Sequence, residues 1–366
     1  MLSQVALAFP LFFLGQVAVG CDLGARLFAI YSHHVNRVWL IFLFGLCPLV
    51  IFWAPWLLCA APLVGLSPWP QFQPVAWMWT FGGLGAAYVL VFLFYPPFKW
   101  RKLPPGIEPV ALDSAPHPEP GGPAIELRRD RVIVPDSRLA APLTIGVISD
   151  LHLQSEDGLP LVRHCLDRVN AFRADFVVIL GDLTREPLRL PLLAETLAAL
   201  RAPLGVFAVL GNHDLMIGGH AAEDALRGGP VRLLRPASGE VIAAPGVTLA
   251  SSEWPFEPDP PGGLPRRKSG DTSFRILLAH SPDNFPRAVR AGFDLVLCGH
   301  THGGFPNLGP IGSLLVPIRQ GRKLAEGWRE KKGTRLFVTR GIGHVAASPF
   351  APRPQVACVD LTPAAE

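Results

Sequence analysis

The N-terminal quarter of the chain is almost free of charge, and this uneven distribution limits what the 366 residues can fold into. Between Leu2 and Phe98 the only charged side chains are Asp22, Arg26 and Arg37. The whole chain is 49% hydrophobic with a mean hydropathy of +0.32, which is too apolar for one ordinary soluble domain. The remaining residues have the charge content of a globular domain. We therefore predict a membrane region followed by a soluble domain.

Three apolar stretches divide the N-terminal region, at roughly 5–20, 38–66 and 75–95. The second and third are charge-free and long enough to span a hydrocarbon core, which requires about 20 apolar residues. The first is short and contains a proline and a glutamine, so a third span, an interfacial helix and a secretory segment remain open interpretations. The sequence thus predicts a membrane region over residues 1–102 with two or three transmembrane helices.

The basic residues around these stretches predict the orientation of the chain. Arg26 and Arg37 precede the second stretch, a basic cluster at 99–102 follows the third, and the loop between the two has no charge. Basic flanks tend to stay on the cytoplasmic side. We therefore predict a multi-pass protein of the inner (cytoplasmic) membrane with a cytoplasmic catalytic domain. A Pro- and Gly-rich segment, 103–123, is predicted to be a linker to a domain at 124–366.

Charge and cysteine content exclude some classes of partner. The net charge is only +4 and there is no long basic tract, which argues against nucleic-acid binding. The basic trio at 266–268 lies in a Pro- and Gly-rich insertion, 253–272, and is predicted to be a solvated loop. Six cysteines without a CxxC pair do not indicate a disulfide framework. No obligate protein partner is inferred.

The soluble part alternates short apolar runs with helical patterns. The runs are TIGVIS, DFVVIL, GVFAVL, FRILLA and DLVLCG, and amphipathic segments such as LPLVRHCLDRVNAF separate the first three. Short runs rich in aliphatic residues are typical of buried strands, and the intervening period is helical. An α/β domain with buried strands is therefore predicted.

Polar side chains with metal-binding chemistry follow each of these runs. They are Asp150 and His152 after the first run, Asp182 after the second, Asn212, His213 and Asp214 after the third, His280 after the fourth, and His300 and His302 after the fifth. Open α/β sheets bind ligands just beyond the carboxyl ends of their strands. We therefore expect these groups to meet in one crevice.

The spacing of the polar groups predicts two metal ions in that crevice. Residues i and i+2 of an extended segment face the same way, so His300 and His302 are expected to reach two neighbouring ions. Asp150 and His152 have the same spacing, and Asp182, with two oxygens, is able to bridge both ions. Two ions about 3.5–4 Å apart form the usual clamp for phosphoryl chemistry.

Taken together, the motifs resemble a known family. SDLHL, GDLTR, GNHD, LAHSPD and GHTHGG, in this order, resemble the calcineurin-like metallophosphoesterase superfamily, and the resemblance extends over residues 144–361. HTHGG is similar to the bacterial membrane-associated branch that includes hydrolases of UDP-2,3-diacylglucosamine. The resemblance implies an α/β fold, a four-layer αββα sandwich of two sheets with helices on both outer faces. Two motifs depart from the pattern, because Phe305 stands where this branch often has Gln and GDLTR lacks the acidic residue often found after GDL.

The resemblance also implies roles for individual residues. The first ion would take Asp150, His152, Asp182 and His302, and the second would take Asp182, Asn212, His280 and His300. His213 would be the catalytic histidine, with Asp214 as its orienting partner. Imidazole and carboxylate ligands without thiolate suit two divalent ions of Mn, Fe, Zn or Co.

These residue types predict a hydrolase of phosphoester or pyrophosphate bonds. Two ions lower the pKa of a bridging water to about 7, which makes metal-bound hydroxide available for attack at neutral pH. His213 is expected to protonate the leaving oxygen, which contributes about 10²–10⁴ in rate. A lipid-linked substrate such as UDP-2,3-diacylglucosamine is favoured, since an anchor in the lipid bilayer holds a cytoplasmic site beside the membrane.

Two alternatives remain open. One is a non-catalytic scaffold that keeps the metallophosphoesterase fold, and the presence of His213 counts against it. The other is a phosphodiesterase that acts on soluble nucleotides, and the membrane region counts against that one.

Overall fold

The computed structural model describes residues 103–118, 124–134, 138–139, 141–304, 318, 324–343 and 353–364. The predicted membrane region, 1–102, and Phe305 lie outside these residues. Among the helices of the described part, none has the length and apolar content needed to cross a bilayer. The membrane region and its orientation therefore stay predictions.

Thirteen strands of the described residues form two mixed β-sheets. They are β1 (Ile107–Val110), β2 (Glu126–Val134), β3 (Leu143–Ile148), β4 (Phe176–Leu180), β5 (Val206–Val209), β6 (Val231–Leu233), β7 (Val241–Ala244), β8 (Val247–Ser252), β9 (Phe274–Ala279), β10 (Leu295–Cys298), β11 (Gly327–Lys331), β12 (Thr334–Val338) and β13 (Gln355–Pro363). The first sheet has the order β1-β2-β13-β3-β4-β5-β6, and the second has the order β11-β12-β10-β9-β8-β7. Strands β3 to β6 are parallel to one another, as are β8, β9, β10 and β12.

The five apolar runs are confirmed as strands, but they do not belong to one sheet. The first three form β3, β4 and β5 of the first sheet, whereas the last two form β9 and β10 of the second. The expected crevice of a single open sheet is therefore replaced by a shared edge of two sheets. Sequence periodicity could not separate these arrangements, because a buried strand has the same apolar pattern in either.

The main core lies between the two sheets. Phe176, Val178 and Leu180 of β4 share one cluster with Phe274, Ile276 and Leu278 of β9. The intervening residues of β4, Val177 and Ile179, belong to a second cluster on the outer face of the first sheet. Side chains of a strand alternate between faces, so β4 is buried on both, which explains why its sequence is continuously apolar.

Helices cover the outer faces of both sheets. They are α1 (Leu159–Ala171), α2 (Leu190–Leu197), α3 (Asn212–Met216), α4 (Gly219–Leu226) and α5 (Phe285–Ala291). Helix α1 buries Val162, Leu166 and Val169 in the cluster that covers the first sheet. On the second sheet, the buried Arg275 points away from the main core and donates to the main-chain oxygen of Ala291 in α5.

Two segments expected to be irregular contribute to the fold. Strand β1 lies inside the predicted linker, 103–123, and pairs antiparallel with β2. Arg267, predicted to belong to a solvated loop, donates to the main-chain oxygen of Gly292 at 3.0 Å and pairs with Asp294. The sequence did not reveal either contact, because the partners are distant along the chain.

Candidate metal centre

The first group of predicted ligands lies where β3 and β10 end. His152 Nε2 is 3.2 Å from His302 Nε2 and 3.8 Å from Asp150 Oδ1, and His302 Nε2 is 3.5 Å from the same oxygen. Ligands bound about 2.0 Å from one tetrahedral ion are about 3.3 Å apart. These separations therefore suit a single ion held among Asp150, His152 and His302, three of the four ligands predicted for the first ion.

The second group, Asp182, His280 and His300, lies where β4, β9 and β10 end, and Asp182 also lies close to the first group. His280 Nε2 is 3.2 Å from Asp182 Oδ2 and 3.1 Å from His300 Nδ1. The same Asp182 oxygen is 3.5 Å from His152 Nε2 of the first group. Asp182 therefore lies between the two groups, at the place where a bridging carboxylate is expected.

Unsatisfied buried oxygens in these groups fit bound cations. Asp150 Oδ1 and Asn212 Oδ1 are buried and accept no hydrogen bond. A buried oxygen without a partner costs about 1–3 kcal/mol, and more when it carries charge. Asn212 precedes His213, whose main-chain N–H donates to Asp182 Oδ1 at 2.9 Å, so the amide belongs to the same edge. The residues present therefore fit two divalent ions with imidazole, carboxylate and amide ligands.

Five of the seven predicted ligands have a left-handed backbone. The φ angles are 54° at Asp150, 45° at His152, 54° at Asp182, 70° at His300 and 44° at His302. Arg173 and Lys332 are the other non-glycine residues with positive φ in the described part of the chain. Such conformations are costly and cluster at functional sites. They also correct the expected geometry, since left-handed turns after β10, rather than an extended segment, direct His300 and His302 to different groups.

Two glycines allow the ligand loops to approach each other closely. A Cβ at Gly299 would lie 2.0 Å from Ser149 Oγ and 2.4 Å from Asp150 Oδ2. A Cβ at Gly211 would lie 2.1 Å from Asp182 Oδ1. No side chain fits at either distance, so the motifs GH and GNH require glycine because of this packing.

The charges of the centre favour the binding of cations. Burial alone would lower the pKa of His280, but Asp182 and Asp150 raise it to about 9. Burial opposes ionisation of Asp182, yet His280 and the neighbouring histidines hold the pKa of this carboxyl well below its ordinary value. Burial lowers the pKa of His152 well below normal, which keeps that ring neutral. The two carboxylates thus create a negative potential that divalent ions would neutralise.

His213 lies beside the ligands, but its ring has a different partner. Its Nε2 is 3.8 Å from Asp182 Oδ2, close enough for His152, Asp182 and His213 to form a third potential ligand group. Its Nδ1 accepts a hydrogen bond of 2.8 Å from Nε of Arg185. Burial and the charge of Arg185 lower the pKa of His213 to about 4, against the opposing effect of Asp182.

Asp214 was predicted to orient the His213 ring, but its carboxyl accepts hydrogen bonds from main-chain N–H groups instead. Its Oδ1 accepts hydrogen bonds from the main-chain N–H groups of Leu183 and Thr184 at 2.9 and 3.3 Å, and its Oδ2 accepts one from Gly211 at 2.9 Å. Burial and Asp182 raise the pKa of Asp214 to about 7. The carboxyl therefore ties the loop after β4 to the start of α3, and Arg185, rather than Asp214, is the hydrogen-bond partner of His213 Nδ1.

Two residues at the centre were missed by sequence reasoning. The only sequence signal for Arg185 was that GDLTR, which ends in this residue, lacks the acidic residue often found after GDL. Phe256, in the insertion 253–272, has its ring centroid 5.0 Å from that of His300 and 5.9 Å from that of His280. No sequence signal marked Phe256, because an aromatic residue in an irregular segment has no periodicity to interpret.

Comparisons with known proteins agree with this geometry. Residues 143–304 match the family described as calcineurin-like phosphoesterase. Phosphodiesterase YaeI of Escherichia coli is 27% identical over 61% of this chain and 83% of its own length. The uncharacterized metallophosphoesterase YkuE of Bacillus subtilis is 30% identical over 53% of this chain and 70% of its own length. A zebrafish (Danio rerio) protein named "Transmembrane protein with metallophosphoesterase domain" is 30% identical over 55% of this chain and 49% of its own length.

The similarity to YkuE extends over more than two thirds of that protein, and the matched family region contains all the predicted metal ligands. From this similarity and from the ligand groups at the shared sheet edge, we conclude that the chain belongs to the calcineurin-like phosphoesterase family and is a metal-dependent phosphoester hydrolase.

Proposed function

We propose that this chain is a membrane-anchored phosphoesterase that uses two divalent ions to hydrolyse a phosphoester or pyrophosphate bond of a lipid-linked substrate, such as UDP-2,3-diacylglucosamine. The observation that carries the proposal is the pair of ligand groups joined by Asp182, whose Oδ2 lies 3.5 Å from His152 Nε2 and 3.2 Å from His280 Nε2. A shared carboxylate suits a dinuclear centre better than two independent sites.

The side chains of the centre have separate tasks in this proposal. Two bound divalent ions supply Lewis-acid chemistry, which means activation of a water and neutralisation of the phosphoryl oxygens. Asp150, His152, Asp182, Asn212, His280, His300 and His302 hold the ions. His213, with Nε2 directed at the same edge, contacts the phosphoryl group or its leaving oxygen. Phe256 lines the side of the centre next to His280 and His300.

Two alternatives are a non-catalytic scaffold and a phosphodiesterase of soluble nucleotides. A scaffold has no use for buried oxygens without partners at Asp150 and Asn212, so the complete set favours an enzyme. The name of one relative, Phosphodiesterase YaeI, supports activity on a diester. A diester of a soluble nucleotide is therefore the second candidate substrate.

The location proposed for the enzyme is the cytoplasmic face of the inner membrane. The apolar stretches before residue 98, the basic cluster at 99–102 and the name of the zebrafish relative, a transmembrane protein, support it. A reporter enzyme fused after Lys102 should be active only in the cytoplasm. Reporter activity on the outer side of the membrane would overturn the proposed orientation.

Substrate class is tested with the full-length chain purified in detergent and supplied with Mn²⁺. Bis-p-nitrophenyl phosphate, p-nitrophenyl phosphate, UDP-2,3-diacylglucosamine and a soluble dinucleotide are assayed side by side, with Asp182→Asn as the inactive control. We expect the highest kcat/KM with the lipid-linked substrate. Faster turnover of the dinucleotide would favour the second candidate, and no metal-dependent hydrolysis of any substrate would contradict the proposed function.

A further inference from the structure

Two histidines of the centre, one buried and one partly buried, make different hydrogen bonds through Nδ1. His280 Nδ1 lies 2.6 Å from the main-chain oxygen of Leu180, whereas His213 Nδ1 lies 2.8 Å from Nε of Arg185. A carbonyl oxygen only accepts hydrogen bonds, and a guanidinium only donates them. The partner of Nδ1 therefore decides which nitrogen of each ring carries the proton.

The carbonyl partner of His280 is what a metal-binding histidine requires. His280 must donate its Nδ1–H to Leu180, so Nε2, 3.2 Å from Asp182, is the nitrogen whose lone pair becomes available when an ion displaces its proton. Histidines that ligate metals usually donate the other ring N–H to a carbonyl or carboxylate in this way. The tautomer of His280 thus suits a ligand.

The guanidinium partner of His213 has the opposite effect. Arg185 donates its Nε–H, so Nδ1 of His213 must accept, and the single proton of the neutral ring lies on Nε2. That nitrogen is the one 3.8 Å from Asp182 Oδ2 and grouped with His152 as a potential ligand. A protonated Nε2 has no lone pair for an ion, but it has an N–H to donate.

We propose that Arg185 is a positioning residue that fixes the proton of His213 on Nε2, so that this histidine donates a hydrogen bond to the phosphoryl group or its leaving oxygen instead of becoming a further metal ligand. The hydrogen bond from His213 to a substrate rests on the proposed function, whereas the tautomer of the ring does not. Complete transfer of the Nε2 proton would leave an imidazolate facing Arg185. The leaving oxygen therefore keeps its electron pair when the P–O bond breaks, and it takes its proton from water.

The loop that carries Arg185 is tied to the element that carries His213. The Asp214 carboxyl bonds the N–H groups of Leu183 and Thr184 on one side and that of Gly211 on the other. Thr184 Oγ1 also donates to the main-chain oxygen of Leu153 at 2.5 Å. Arg185 thus follows directly on an anchored segment, and Asp214 contributes to the His213 tautomer through the backbone.

The tautomer is measured directly by ¹⁵N NMR of the imidazole rings in the full-length chain with labelled histidine. Zn²⁺ is used because this d¹⁰ ion is diamagnetic. The signal that disappears in His213→Gln assigns the ring among the eleven histidines. We expect the wild-type proton on Nε2. Arg185→Glu replaces a donor by an acceptor and should move the proton to Nδ1, and Arg185→Ala should give a mixture of tautomers.

A second arginine of the same loop provides the control. Arg189 pairs with Glu156 at 3.1 Å on the surface, so Arg189→Glu changes the same charge and should leave the His213 signals at their wild-type positions. A wild-type proton on Nδ1, or a proton that stays on Nε2 in both Arg185 variants, would overturn the proposal.

Hydrolysis of bis-p-nitrophenyl phosphate gives the functional readout. Loss of an orienting partner typically costs about 10–100-fold, so kcat of Arg185→Glu should fall by this factor while Arg189→Glu stays near wild type. Unchanged kcat in Arg185→Glu together with a moved proton would contradict the donor role. An inactive wild type would contradict the proposed function, and the NMR experiment would still decide the tautomer.

Discussion

The surroundings of His280 and His213 differ in one respect that separates their functions. Both rings are largely buried and both direct Nε2 towards Asp182, at 3.2 and 3.8 Å. A main-chain carbonyl faces Nδ1 of His280, whereas a guanidinium faces Nδ1 of His213. The same side chain at the same edge is thus prepared as a ligand in one place and as a donor in the other. Residue type and proximity to a metal group are therefore insufficient to assign a ligand.

The largest expected effect comes from the carboxylate that faces both histidines. Asp182→Asn keeps the shape but removes the charge shared by the two ligand groups, so metal content and hydrolysis should be lost together. The matched control is Asp360→Asn, because Asp360 is a β13 carboxylate that pairs with Arg129 of β2. This variant should retain both metal and activity. Metal analysis by mass spectrometry checks the first point. Full occupancy in Asp182→Asn would remove the basis for a shared carboxylate.

Replacing His213 tests whether it is a donor rather than a ligand. His213→Ala should keep wild-type metal content and lose about 10²–10³ in kcat, the usual cost of one donor to a developing negative charge. His280→Ala should instead lose metal. Because the donor keeps its proton, losses for nitrophenyl and alkyl leaving groups should be similar. A much larger loss with the alkyl ester would restore the proton transfer expected from sequence, and loss of metal would make His213 a ligand.

A smaller effect is expected where the ligand loops touch. In Gly299→Ala, the new methyl group would collide with Ser149 and Asp150, the first of the predicted ligands. We expect metal affinity to fall about 10–100-fold, as for other residues that orient ligands. Raising the Mn²⁺ concentration should recover most of the activity, which is measured as a titration of rate against metal. If activity does not recover at saturating metal, the substitution has also damaged the hydrogen-bond donor, His213.

The smallest effect is a pH dependence of stability in the metal-free protein, and the two histidines give it opposite signs. The pKa of His280 is raised to about 9 from about 6.5 in the unfolded chain, so its contribution is complete below pH 6.5 and is lost as the pH rises through 9. The pKa of His213 is lowered to about 4, so its contribution is present above pH 6.5 and is lost as the pH falls through 4.

Denaturant unfolding of chelator-treated protein between pH 4 and 9 measures both limbs. His280→Gln should reduce the pH dependence of the free energy of unfolding on the alkaline side, and His213→Gln should reduce it on the acid side. If either substitution flattens the opposite limb, the two rings have been assigned to the wrong environments.

Much of the fold could be predicted because buried strands have a local signature. The five apolar runs became β3, β4, β5, β9 and β10, and the predicted helix after β3 became α1. The division into two sheets was supplied by the family resemblance and was absent from the periodicity. The pairing of β1 with β2 and the ion pair of Arg267 with Asp294 escaped prediction, because each depends on partners far along the chain.

The sequence by itself determined which chemical groups stand at the strand ends, because residue type and spacing are local properties. It was sufficient to nominate Asp150, Asp182 and the histidines as one set. Only the tertiary structure decided what each group faces. Left-handed turns direct His300 and His302 to different groups, and the loop after β4 brings Arg185 to His213, 28 residues away. The tautomer of a ring depends on its hydrogen-bond partner, and that partner is chosen by folding.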